Sequence, residues 1–244
     1  MTTQPVAMVT GGAVRVGEVI SRSLAEAGYD LVVHYNSSQS AARQLVAELE
    51  GSGHAALEVA ADISEGSQRQ RLLETAMAKF GRLDLLVNNA AVFGRRPLLE
   101  VNEELWRRTL EVDLTGAFLL AQGAARIMWG AGHGRIINIC GTSGIGPIGA
   151  YAPYCVAKAG LDMLTCCMAQ ALAPRVQVNG VAPGTVLFPE GTTPRQKERI
   201  IRRIPAGHAG SPDDVAAAVC FLATAPDYIT GTIIRVDGGA SLVG

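Results

Sequence analysis

Aromatic side chains are scarce in this chain: Phe, Trp and Tyr together make up 5% of 244 residues. Hydrophobic residues still reach 48%, so its core has to be aliphatic. No basic run or basic stripe appears, and the formal net charge is −1. This speaks against nucleic acid or a membrane surface as a partner. The four histidines are not in metal-ligand spacing, and the five cysteines form no Cys-x-x-Cys. No metal is therefore expected. Cys140, Cys155, Cys166, Cys167 and Cys220 read as free thiols of a reducing compartment. No apolar run is expected to reach membrane-spanning length. The first residues enter an apolar strand with no basic region and no cleavage-like site, so the expected location is cytoplasmic.

Glycine, by contrast, is abundant, with 28 residues. It punctuates an alternation of short apolar runs and longer helical patterns. Strands are expected at 6–10, 31–35, 56–60, 83–87, 135–139, 176–181 and 233–236. Helices are expected from the first glycine turn to residue 27 and at 40–49, 68–80, 103–129, 151–172 and 212–224. The stretch 185–212 is irregular, apart from a basic helical segment at 195–203. Strands apolar throughout, alternating with helices, predict a mostly parallel sheet covered on both faces. Right-handed crossovers then give a single doubly wound α/β domain of the Rossmann type, with seven strands, spanning residues 1–244.

The first strand runs into Thr10-Gly11-Gly12-Ala13-Val14-Arg15-Val16-Gly17 and then a helix. Such a turn lets a pyrophosphate approach the backbone and the helix amino terminus. The second strand ends in His34-Tyr35-Asn36-Ser37-Ser38, with no acid for a ribose 2′-hydroxyl. Asn36, Ser37 and Ser38 offer neutral hydrogen-bond groups, and Arg15 offers a fork suited to phosphate. NADP(H) is therefore expected over NAD(H). Asp62, after the third strand, either accepts from an adenine amino group or caps the next helix.

Tyr154 and Lys158 sit four apart inside an expected helix, hence on one face. A free phenol, with a pKa of about 10, is a poor acid or base at neutral pH. A fixed cation beside it favours the phenolate and is expected to bring that pKa towards the working range.

Taken together, Thr10-Gly11…Gly17, Asp62, Asn88-Asn89-Ala90-Ala91, Tyr154…Lys158, Pro183-Gly184 and Val236-Asp237-Gly238-Gly239 resemble the short-chain dehydrogenase/reductase family over essentially the whole chain. The resemblance implies that Tyr154 exchanges a proton with the substrate oxygen and that Lys158 binds the nicotinamide ribose. It also implies that Val16, Ile63, Asn89, Ala90, Ala91, Pro183 and Gly184 join Gly11 and Asp62 along the cofactor, and that the assembly is a homotetramer. Within the family, Arg15, His34-Tyr35 and Phe93 look most like pteridine reductases. Phe93 would stack on a flat ring or merely fill a loop.

Two positions depart from the family pattern. Gly141 stands where a serine or aspartate is usual, leaving Thr142 and Ser143 as candidate donors to the substrate oxygen. Asp113 replaces the usual asparagine near the lysine. The leading expectation is NADPH-dependent reduction of a ketone or oxoacyl carbonyl. The alternatives are reduction of a ring C=N bond, or a catalytically weak NADP(H)-binding member of the fold. Residues 185–205 are expected to form a substrate lid. Leu187, Phe188 and Phe93, with Ile145, Ile148 and Tyr151, would line an apolar pocket. Arg95 and Arg96 would face either an acidic group or water.

Overall fold

Val6 and Met8 pack against one hydrophobic core, and Ala7 and Val9 against another. A strand that buries both faces in this way has to lie inside a sheet covered by helices on either side. The computed structural model describes residues 3–142, 147–189 and 191–243.

Seven parallel strands are ordered β3-β2-β1-β4-β5-β6-β7. They are β1 (Val6–Val9), β2 (Asp30–Tyr35), β3 (Ala56–Ala60), β4 (Leu85–Asn88), β5 (Gly134–Ile139), β6 (Val176–Pro183) and β7 (Ile233–Val236). Helices α1 (Arg15–Glu26), α2 (Gln39–Gly51) and α8 (Pro212–Thr224) cover one face. Helices α3 (Gly66–Phe80), α5 (Ala117–Ala131) and α6 (Ala152–Leu172) cover the other. Two shorter helices, α4 (Glu103–Leu110) and α7 (Pro194–Ile201), complete the set among the described residues. Strand order reverses beside β1, which has β2 on one side and β4 on the other. In such sheets the crevice at the carboxyl ends of these strands is where ligands bind.

Three sequence expectations need correction. The helix expected over 103–129 is interrupted. A π-helical turn, Glu111–Gly116, separates α4 from α5. Gly116 explains the tight fit there, because a Cβ would stand 2.5 Å from the carbonyl oxygen of Ile63. The helix expected from Tyr151 begins as α6 at Ala152, after a 3-10 turn over Gly149–Tyr151. Finally, the helical stretch Gly149–Leu172 is long and apolar enough to cross a membrane by length and composition. Here α6 lies along the sheet and buries Ala157, Lys158, Leu161, Thr165 and Met168. Its buried side covers a core.

The start of α8 agrees with its sequence. Ser211 accepts from the Asp214 amide, and the Asp214 side chain returns a bond to the Ser211 amide. Such a reciprocal cap satisfies two donors that a helix start otherwise leaves free.

Candidate active site

The turn after β1 is pinned from three sides. Thr10 Oγ1 accepts from the amides of Asn89 (2.9 Å) and Ala90 (3.0 Å). Asn89 Nδ2 donates to the carbonyls of Thr10 (2.9 Å) and Gly11 (3.2 Å). Gly11 N donates to His34 Nδ1 at 3.0 Å, while His34 Nε2 lies 2.8 Å from the Ala61 carbonyl. The accepting Nδ1 assigns the proton to Nε2, so the ring is neutral. Burial pushes the His34 pKa down, in keeping with that tautomer. Thr10 and His34 thus hold the turn in place. A buried histidine within an apolar strand was the sequence signal for the second of them.

The turn leaves a cradle. Gly11 has φ +60°, and a Cβ on Gly17 would collide with the Gly11 carbonyl. No side chain caps the amino terminus of α1, so its first amides remain available to an anion. Arg15 is the one non-glycine residue with positive φ, at 57°, among the described residues. A bulky residue is rarely held there without reason.

One groove collects Gly11, Arg15, Val16, Asn36, Ser37, Ser38, Asp62, Ile63, Asn89, Ala90, Ala91 and Phe93. All these sequence candidates therefore come together. The groove also includes Arg108, which the sequence reading missed. Arg108 pairs with Asp62 at 2.9 Å and donates to Ser64 Oγ at 2.6 Å. Burial raises the Asp62 pKa, but the bonds from Arg108 and Ser64 outweigh it and hold the carboxyl below its ordinary value. Asp62 Oδ1 also accepts from Ser64 N at 3.0 Å. The carboxylate is thus engaged by protein at both oxygens, as a turn-forming group would be.

At the carboxyl end of β5, α6 brings in Tyr154 and Lys158. Lys158 is buried, and its Nζ donates to the Ile139 carbonyl at 2.8 Å. The same Nζ lies 5.5 Å from the centroid of the Tyr154 ring. Phe93 meets Tyr154 edge to face at 4.9 Å and stacks on Tyr151 at 4.6 Å. Aromatic side chains, though few, therefore concentrate here.

Electrostatics correct one expectation. The Tyr154 pKa is raised, because burial of the phenol outweighs the pull of Lys158, and Asp113 adds to the rise. Burial lowers the Lys158 pKa, but Tyr154, Asp113, Cys140 and Asp162 together leave it raised, so the ammonium stays charged. Asp113 sits fully buried in the π-helical turn, and its Oδ1 accepts from Val92 N at 2.6 Å. Its Oδ2 has no hydrogen-bond partner among the described residues. Burial pushes its pKa up to about 6, against the pull of Lys158.

The remaining candidates are less concentrated. Thr142 Oγ1 donates to Pro183 O at 3.4 Å, joining the ends of β5 and β6. Gly184 N donates to Val236 O at 2.9 Å, and a Cβ there would meet Asp237 at 2.7 Å. Leu187 is partly exposed, and the Phe188 ring lies 5.3 Å from Lys197 Nζ. Ser143 and Ile145 lie outside the described residues. No group of three or more His, Cys, Asp or Glu is placed to hold a metal ion among the described residues.

A glycine cradle at the switch point of a parallel sheet, together with a buried lysine beside a tyrosine, defines a dinucleotide-binding oxidoreductase. The family model described as enoyl-(acyl carrier protein) reductase matches residues 12–241. A 3-oxoacyl-[acyl-carrier-protein] reductase of Synechocystis sp. is 38% identical, covering 97% of either chain. An acetoin dehydrogenase from Enterobacter cloacae superposes with a TM-score of 0.91 at 35% identity, covering 100% of this chain and 98% of that one. A gluconate 5-dehydrogenase from Burkholderia cenocepacia, solved with NADP and tartrate, gives a TM-score of 0.92 at 32% identity, covering 98% and 96%. The chain belongs to the short-chain dehydrogenase/reductase family.

Proposed function

We propose that this protein is an NADPH-dependent reductase of a ketone or oxoacyl carbonyl, with Tyr154 as proton donor. The observation that carries the reading is the buried Lys158 ammonium 5.5 Å from the Tyr154 ring, which Phe93, a residue lining the groove, meets edge to face at 4.9 Å. The groove's residues suit the cofactor. The cradle at Gly11 and Gly17 leaves room for a pyrophosphate, and no acid at the end of β2 repels a 2′-phosphate. Arg15, held at positive φ and lining that groove, would bind the 2′-phosphate together with Ser37 and Ser38.

When bound, the nicotinamide supplies the hydride, and the protein supplies position and a proton. The raised pKa keeps Tyr154 protonated at neutral pH. A neutral phenol is the form needed to donate as negative charge develops on the substrate oxygen. The site is therefore better prepared for reduction than for oxidation, which would require the phenolate. Lys158 would bind the nicotinamide ribose with the donors not given to Ile139 and stabilise the phenolate left after proton transfer. Thr142 would support the substrate oxygen in place of a side chain at Gly141, and Ser143 would share that role. Pro183 and Gly184 would run past the nicotinamide. The relatives reported above act, by name, on oxoacyl, acetoin and gluconate substrates, which are carbonyl–alcohol pairs.

Leu187 and Phe188 would line the substrate side, with residues 185–205 as a lid and the protein assembled as a homotetramer. Phe93, half exposed beside Tyr154, supports a second reading, the pteridine reductase-like reduction of a ring C=N bond. NADPH oxidation with a panel of ketones, oxoacyl thioesters and dihydropterins separates the readings. Turnover is expected with carbonyl compounds, and Tyr154→Phe should lower it by at least about a hundredfold. Turnover confined to pterins would favour the second reading. Intact turnover in Tyr154→Phe would end both.

A further inference from the structure

Two roles were open to Asp62, helix cap or acceptor from an adenine amino group. The first does not hold, because the N-cap of α3 is Glu65 and no side chain caps that helix. The carboxylate instead closes a turn on Ser64 and meets a guanidinium from α4. Asp62 Oδ1 accepts from Ser64 N at 3.0 Å, Ser64 Oγ at 2.7 Å and Arg108 Nη1 at 3.2 Å. Asp62 Oδ2 faces Arg108 Nη2 at 2.9 Å and, among the described residues, nothing else. A carboxylate oxygen carries two lone pairs. Oδ1 is therefore filled, while Oδ2 keeps room for one more donor. Both residues line the groove, and the Asp62 side chain is 25% exposed.

The loop does not need Arg108 to keep its path. Asp62 N donates to Gln68 Oε1 at 2.8 Å, Glu65 N donates to the Asp62 carbonyl at 3.0 Å, and Arg69 donates to the Ile63 carbonyl. All of these bonds come from the loop itself or from α3. Nor does the pair add much stability, since ion pairs between partly exposed side chains contribute little. What the guanidinium fixes is the rotation of the carboxylate, one nitrogen against each oxygen. That rotation decides which oxygen is left to accept.

We propose that Arg108 is a positioning residue of the cofactor site: it turns the Asp62 carboxylate so that Oδ2 accepts from the exocyclic amino group of adenine. The inference rests on the NADP(H) reading above. An acceptor fixed in this way selects against a base that carries a carbonyl oxygen in place of the amino group, as hypoxanthine does.

The test is binding, not turnover. Dissociation constants for NADPH and for reduced nicotinamide hypoxanthine dinucleotide phosphate are measured by calorimetry. Wild type should bind NADPH about tenfold more tightly than the analogue. In Arg108→Met, and in Asp62→Ala, the ratio should fall to within about twofold of unity. The double variant should lose no more of the ratio than Asp62→Ala alone, because both changes remove one interaction. Arg108→Lys keeps a charge without the two-pronged geometry and should give an intermediate ratio. It carries the test alone if Arg108→Met does not fold. A wild-type ratio in Arg108→Met, or in Arg108→Lys where only that variant folds, overturns the proposal. So does wild type binding both dinucleotides equally, which leaves the cofactor reading standing. Wild type that binds neither sinks the cofactor reading itself and this inference with it.

Discussion

Asp113 stores an unfavourable charge. It is fully buried, accepts one bond from Val92, and leaves Oδ2 unpartnered among the described residues. Burial lifts its pKa from 3.8 to about 6 although Lys158 opposes the rise. The sign of its stability term follows from proton binding. Between these two values the folded chain binds more protons at this site than the unfolded chain, so stability falls as pH rises through that interval. Above about pH 6 the whole deficit is present, on the order of 1–3 kcal/mol. Asparagine cannot ionise and still offers an oxygen to the Val92 amide. Asp113→Asn should therefore be more stable than wild type at about pH 7.5, with the difference shrinking towards zero near pH 4. Denaturant unfolding of both proteins across that range checks this, and a difference that does not vary with pH would contradict it. Turnover should change as well, because Asp113 raises the pKa of both Tyr154 and Lys158. The pH profile of Asp113→Asn is expected to lie below that of wild type on the alkaline side.

Among elements, the break between α4 and α5 does the most to shape the site, because it carries Asp113. A π-helical turn needs close backbone approach, and Gly116 supplies it against Ile63. An added methyl would meet two carbonyl oxygens, Ile63 O at 2.5 Å and Glu111 O at 2.8 Å, and neither is the end of a flexible side chain. Gly116→Ala should cost about 1–3 kcal/mol by overpacking, seen as a melting temperature lower by several degrees. Gly130→Ala, at an exposed position with nothing within 4 Å, is the matched control and should leave it nearly unchanged. Equal melting temperatures for the two variants would refute the argument. The π-helical turn was invisible in the sequence because its apolar residues continue a helical pattern while the hydrogen-bond register slips. The strands were legible for the opposite reason: burial on both faces leaves an unbroken apolar run, as in Leu31–Val33 and Leu85–Val87. Gly11 and Gly17 were legible because a cradle tolerates no side chain, and Tyr154 and Lys158 because helical spacing is local. Arg108 was not, since it meets Asp62 across 46 positions of chain. Nor was the rise of the Tyr154 pKa, because burial belongs to the folded tertiary structure and helical spacing showed only the lysine.

For the whole molecule, the outer side of α6 sets the problem. Its exposed positions are Val156, Ala159, Met163, Cys166, Cys167, Gln170 and Ala171, without one charge among them. A helix that ends at water normally carries charged residues on that side. Beside it, Phe118 and Trp129 of α5 join Leu164 and Cys167 in lining a shallow apolar depression. The homotetramer proposed above would cover this surface with a second copy of the same pair of helices. A two-fold axis would do so most simply, since each copy then presents the same patch to the other. Sedimentation velocity at micromolar concentration is expected to give four chains per particle. Met163→Glu places a charge on each side of such a two-fold contact, where like charges would face one another. It should lower the assembly to dimers or monomers with the circular dichroism of the fold retained, because Met163 is 65% exposed in the single chain and takes no part in its core. Glu58→Gln, on the edge strand β3 far from this surface, should leave the assembly whole. Should wild type sediment as a monomer throughout, or should Met163→Glu assemble as wild type does, a second copy is not what covers α6.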